Sequence, residues 1–269
     1  MLSLDAPLVV LGWQSVLAHV ARVQLGWPQA FVLTVSVWLA YVADRWIEGW
    51  RLAPEAIRTE RHAFYQRRRW TMLALWLGVL VADVSVARTR LSLAEFEGGW
   101  LILPPVLAYL LSHQLVHRDH PLRVPKEACV ALLLGAGTVL FPLAHPGPYH
   151  RHLWPALGLF VLLCFTNCAL ISVWERDVDR GHRQTSLALQ FSSPGWIHLL
   201  PWLVAALAVV LGLVGSGGAR VAAACAAGSA AVLGVVDGGH PWLGRRLARV
   251  LADVALLTPF VAVALGYLP

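Results

Sequence analysis

Charge is scarce in this chain. Only 13% of its 269 residues are Asp, Glu, Lys or Arg, against 58% hydrophobic, and the mean hydropathy is +0.64. A soluble domain solvates its surface with about 25% charged residues, so a water-soluble globule is excluded. The same figures rule out a disordered chain and a collagen-like fibre. Cysteine is equally sparse: Cys129, Cys164, Cys168 and Cys225 sit in apolar stretches without a C-x-x-C pair. They read as small packing residues, which removes a disulfide scaffold, a redox motif and a zinc site. The net charge of +6 would suggest nucleic acid in a soluble protein. Here no nucleic-acid partner is expected, and the excess arginine belongs to one membrane face.

What the chain does have is long hydrophobic runs. A membrane-crossing helix needs about 20 mostly apolar residues, and nine segments meet that length: 7–25, 28–47, 70–87, 98–116, 127–144, 153–174, 196–214, 219–236 and 250–268. The fold class that follows is an all-α polytopic membrane protein, one transmembrane helical domain over residues 1–269 with about nine helices in a single bundle. The start, Met1-Leu-Ser-Leu-Asp-Ala-Pro, has no basic n-region, so the first segment is expected to be a retained helix and not a signal peptide. Trp27, Trp46, Trp50, Trp70, Trp100, Trp154, Trp174, Trp196 and Trp242 fall near the ends of these segments, where an amphipathic ring prefers to lie. The eighth segment, nearly all small residues from Ala222 to Ala231, is expected to pack closely on its neighbours.

Sidedness follows from the basic residues. Only Arg22, Arg88, Arg90, Arg151 and Arg220, of 21 arginines and lysines, fall on the side of the odd-numbered loops. The positive-inside rule therefore places the even loops and the N-terminus in the cytoplasm and the C-terminus outside, in a cell (inner) membrane.

The chain has just 15 acidic residues, and two tight groups end even-numbered segments. Asp44 and Glu48 close the second; Glu175, Asp177 and Asp179 close the sixth. Asp44/Glu48 and Glu175/Asp179 are i, i+4 pairs, so each pair projects from one helical face. Arginines interleave them: Arg45 in the first group, Arg176, Arg180 and Arg183 in the second. For either group alone, ordinary juxtamembrane ion pairs would suffice. Two matched groups at one depth and on one side point instead to a polyphosphate site. Mg²⁺ between the carboxylates would bind phosphate oxygens, and guanidinium groups would clamp the rest.

The stretch from Asn167 to Ala188, with Glu175-Arg-Asp-Val-Asp179-Arg-Gly-His-Arg183-Gln-Thr185-Ser-Leu187, resembles the second aspartate-rich motif of the UbiA-type intramembrane prenyltransferases. Nine spans with acidic motifs after the second and sixth are likewise that family's layout. The first motif departs from the pattern: Ala40 and Tyr41 stand where it has Asn and Asp, and only Asp44 and Glu48 match its later acids. The resemblance implies Mg²⁺-dependent transfer of an isoprenoid from its diphosphate to a lipophilic, often aromatic acceptor. It implies catalytic roles for Asp44, Glu48, Glu175 and Asp179, with Asp177 as a further metal ligand. Arg45, Arg176, Arg180 and Arg183 would bind substrate. Prenyl diphosphate, an acceptor and membrane lipids would be the partners. The alternative is a non-catalytic relative that binds or transports a lipid or an anionic metabolite, which the loss at Ala40 and Tyr41 favours.

Other features carry less. The loop from Gly49 to Arg69 contains a basic amphipathic stretch, either a lid or an interfacial helix. His113, His117 and His120 share a helix face, but His145, His150 and His152 lie on the opposite membrane side, which argues against one metal site. Asp253 is expected to pair with Arg249 one turn earlier, Asp83 to reach the membrane interface, and Thr258-Pro259 to kink the last helix.

Overall fold

A computed structural model describes residues 4–51, 67–112, 125–145, 150–181, 186–191 and 193–268, with side chains for all of these except 48–51 and 150. The helices are α1 (Asp5–Ala21), α2 (Trp27–Arg51), α3 (Arg69–Arg90), α4 (Leu93–Leu111), α5 (Lys126–Ala144), α6 (His150–Trp174), α7 (Arg176–Gly181), α8 (Leu187–Gln190), α9 (Leu200–Val214, entered through a 3-10 turn at Pro194–Leu199), α10 (Gly218–Ala255) and α11 (Thr258–Ala264). Among the described residues there is no strand.

Six of these stretches are long and apolar enough to cross a membrane: Trp27–Ile47, Arg69–Arg90, Lys126–Ala144, Arg151–Trp174, Pro194–Val214 and Gly218–Ala255. The other three expected segments fall on helices as well. One is α1, with 17 residues; another is α4, which carries Glu95 and Glu97 in its first turns. The third is the end of α10 together with α11. The 38 residues of α10 are broken at Gly244, whose φ of 73° is a left-handed conformation that favours glycine. The expected kink at Thr258-Pro259 is a break two residues earlier: α10 ends at Ala255 and Pro259 sits in the first turn of α11, where its missing N–H is harmless.

Local sequence explains the sharpest start. Ser92 caps α4, its Oγ accepting the Glu95 backbone N–H at 3.4 Å while Glu95 Oε2 accepts the Ser92 N–H at 2.8 Å. Each side chain satisfies an orphan donor of the other, a capping box.

Packing divides the bundle. The densest contact is α10 on α9, and α10 also packs on α6 and α1. Ala222, Ala226, Ala230 and Ser229 are fully buried there, as the run of small residues implies. Trp13 anchors the centre: it stacks on Phe160 at 5.0 Å and donates from Nε1 to the Leu256 carbonyl at 3.0 Å. On the other side, α3 leans on α2 and α4 on α5, while α3 and α4 hardly touch. Trp76 Nε1 ties α3 to α2 through the Leu39 carbonyl at 2.9 Å.

Trp27, Trp70, Trp100, Trp154, Trp196 and Trp242 are exposed, as interface anchors should be. Trp174 is not one of them. It is buried, donates from Nε1 to Asp237 Oδ1 at 3.1 Å and stacks on His240 at 5.1 Å.

Candidate binding cavity

Because α3 and α4 stand apart, a cavity of about 850 Å³ opens between α2, α3, α4, α5 and the end of α6. Its walls are mostly apolar, with Leu33, Val37, Leu80, Leu107, Leu134 and Leu140 among them. Val84, Trp100, Leu103 and Leu107 line it and are also 40–59% exposed, so among the described residues it is open to the side between α3 and α4.

One end is highly charged. On α2, Ser36, Ala40 and Asp44 lie one turn apart on a single face and line the cavity; Arg45 and Tyr41 line it too, the guanidinium 5.6 Å from the Tyr41 ring centroid. At the end of α6 the chain turns into α7 without losing helical register: the Asp179 N–H donates to the Glu175 carbonyl at 2.9 Å. Glu175 and Asp179 therefore share a face, and both line the cavity. Spans two and six thus bring acids of both motifs to one space.

The remaining expected site residues fall elsewhere. Asp177 points away, its side chain 88% exposed and 4.0 Å from Arg180, which is itself 65% exposed. Arg176 donates from Nη2 to the Phe191 carbonyl at 3.5 Å and does not line the cavity. The Glu48 side chain, Arg183, most of the 49–69 loop and the His113, His117, His120 stripe lie outside the described residues.

Three residues that sequence reasoning passed over stand at the charged end: Lys126, Glu127 and Arg249. Glu127 is 2% exposed; its Oε1 accepts the Leu187 N–H at 3.1 Å, which fixes the far end of the second motif, and its Oε2 has no hydrogen-bond partner among the described residues. Arg249 donates to Glu175 Oε1 at 2.6 Å. That corrects the pairing expected for Asp253, which instead accepts a hydrogen bond from Asn167 Nδ2 at 3.2 Å. Asp83, expected to reach the membrane interface, is buried in the cavity wall and accepts from Ser36 Oγ at 2.8 Å. Near the start of α4, Glu95 accepts from Gln29 Nε2 at 2.7 Å.

Among the described residues, no three His, Cys, Asp or Glu side chains form a ready-made metal cluster. Mg²⁺ does not need one: it uses one or two carboxylates together with waters and phosphate oxygens brought by substrate. Asp44, Asp179 and the orphaned Oε2 of Glu127 are donors of that kind, so the charged end fits a hard cation arriving with a phosphate.

Fold and cavity together define a polytopic helical membrane protein with an amphipathic interior site. The structure is similar to the apo structure of a UbiA homolog from Aeropyrum pernix K1, with a TM-score of 0.64 and 18% sequence identity over 99% of each chain. The fold is that of the UbiA type. No protein-family model and no curated protein matches the sequence.

Proposed function

We propose that the protein is a divergent UbiA-type membrane prenyltransferase, which moves an isoprenoid from its diphosphate to a lipophilic acceptor, aromatic acceptors included. The observation that carries this reading is the single cavity whose charged end gathers Asp44, Glu175 and Asp179 from the two acidic motifs while the rest of its wall is apolar. One or two of Asp44, Asp179 and Glu127 would hold Mg²⁺ together with substrate oxygens, and when bound the ion would neutralise charge developing on the leaving diphosphate. Arg45, Lys126 and Arg249 are the cations that line this end, so the phosphate clamp is assigned to them and moves away from Arg176 and Arg180. The apolar walls exclude water from an electron-poor allylic carbon. The Tyr41 ring, already facing one cation, is suited to face another.

Asp179→Asn keeps the size of the side chain and removes the charge Mg²⁺ requires. Binding of a prenyl diphosphate in the presence of Mg²⁺ should weaken by at least ~10-fold, about 1.4 kcal/mol, with little change in thermal stability. Asp177→Asn, at the exposed position, should change binding less than ~3-fold. If the wild-type protein binds no prenyl diphosphate with Mg²⁺ present, the reading fails. The non-catalytic relative then takes its place, a reading supported by Ala40 and Tyr41 at the first motif and by the neutralisation of Glu175 by Arg249. The proposed orientation is checked separately. A reporter fused after Pro269 should appear outside the cytoplasm and one fused near Arg123 inside it; reversed signals would put the charged end on the wrong face.

A further inference from the structure

The cavity holds a second polar station far from its charged end. Ser36 and Asp44 are eight residues apart on α2, which is about 12 Å along the helix axis. At the level of Ser36 the neighbours lining the cavity are Leu33, Val37, Leu80 and Val84, and Asp83 enters this apolar wall from α3. Asp83 is 6% exposed; its Oδ2 accepts from Ser36 Oγ at 2.8 Å, and its Oδ1 has no hydrogen-bond partner among the described residues. The cations lining the cavity, Arg45, Lys126 and Arg249, belong to the charged end. A buried acid inside a membrane protein is costly and is retained where it meets a ligand or a relay. Asp83 lines the cavity while one oxygen of its carboxylate, enclosed in the wall, has no donor, and a guest of that cavity is what could bring one.

We propose that Asp83 and Ser36 form a binding station for a hydroxyl group carried on the lipophilic ligand, about 12 Å from the ligand's polar head. A hydroxyl suits the orphaned oxygen: it donates to Asp83 Oδ1, while the Ser36 hydroxyl stays engaged with Oδ2 and holds the carboxylate in place. It enters an apolar wall at far smaller desolvation cost than an ammonium group would. The station distinguishes hydroxylated isoprenoids from plain hydrocarbon tails, because a plain tail leaves the buried carboxyl oxygen without a donor. The isoprenoid body of the ligand rests on the function proposed above; the hydroxyl preference rests on Asp83 and Ser36 alone.

The test uses two phosphate-free probes, farnesyl methyl ether and its ω-hydroxy derivative, titrated into the full-length protein in detergent and followed by calorimetry. Comparing the ratio of the two affinities between wild type and variant cancels the detergent partitioning of each probe. The wild type should prefer the hydroxylated probe by about tenfold relative to Asp83→Leu, which replaces the acceptor by an apolar side chain. Ser36→Ala should lose part of that preference, and Asp83→Asn, the closest in shape, should lower it by at least about threefold if Asp83→Leu fails to fold. An unchanged ratio in the Asp83 variants overturns the proposal, and so does failure of the wild type to bind either probe. Neither probe carries phosphate. A protein that binds no prenyl diphosphate with Mg²⁺ but still shows the hydroxyl preference would therefore overturn the proposed function and leave the station standing.

Discussion

Between α9 and α10 the backbones come close at small residues, Gly212 against Ala223 and Gly234 beneath the Trp202 ring; around the cavity, α3 and α4 carry Leu, Val and Trp and keep apart. The two regions show two uses of small and large residues in lipid. Close backbone approach gains dispersion contacts where no hydrophobic force drives helices together. Larger side chains on helices that do not meet leave room for a guest. The first region is a scaffold. The second is a receptacle, and each of its outer helices depends on one neighbour.

The same substitution should therefore give opposite results in the two regions. Gly234→Ala would place a Cβ 2.7 Å from the Trp202 ring, so either the indole or the helix that carries it must shift. The expected loss is about 2 kcal/mol, read as a lower unfolding midpoint in detergent. Next in size is Arg249→Ala, which leaves Glu175 without its 2.6 Å partner. Both side chains are partly exposed, at 18% and 27%, so the expected loss is only about 1 kcal/mol. A double-mutant cycle with Glu175→Gln should recover most of that as coupling. Smallest is Gly99→Ala in the cavity wall, where an added Cβ meets no heavy atom within 4 Å. Helix propensity should then raise stability by about 0.5 kcal/mol. Equal losses at Gly234 and Gly99 would erase the distinction between scaffold and receptacle.

The fold was largely readable in the sequence because the length of an apolar run is set by bilayer thickness, not by its neighbours. The expected segments 127–144 and 153–174 lie within α5 and α6, and 70–87 within α3. The i, i+4 spacing likewise placed Glu175 and Asp179 on one face, since spacing fixes that relation on any helix. Rotation about the helix axis is not fixed by spacing. Nothing local says that Glu127 turns inward beneath Leu187, or that Asp177 turns out while Asp179 turns in. Arg249 was matched with Asp253 on the assumption of a straight helix pairing within itself; tertiary packing brings Glu175 closer. Asp83 did leave a signal, an acid in an apolar run, but its partner Ser36 sits on another helix, 47 residues earlier, which no local spacing could name.

On the proposed function, the gap between α3 and α4 also sets where a ligand would come from. A guest entering there is drawn from the bilayer, and its effective concentration is that of the lipid phase rather than of water. Each isoprenoid unit of five carbons favours the lipid by about 4 kcal/mol, roughly a thousandfold. A compound almost undetectable in the surrounding water is then abundant at the entrance. Under such supply the apolar walls need not attract their guest strongly, and they cannot tell one tail from another. Selection among lipids falls to the few polar atoms inside, which makes their placement, more than the size of the cavity, the determinant of what the protein accepts.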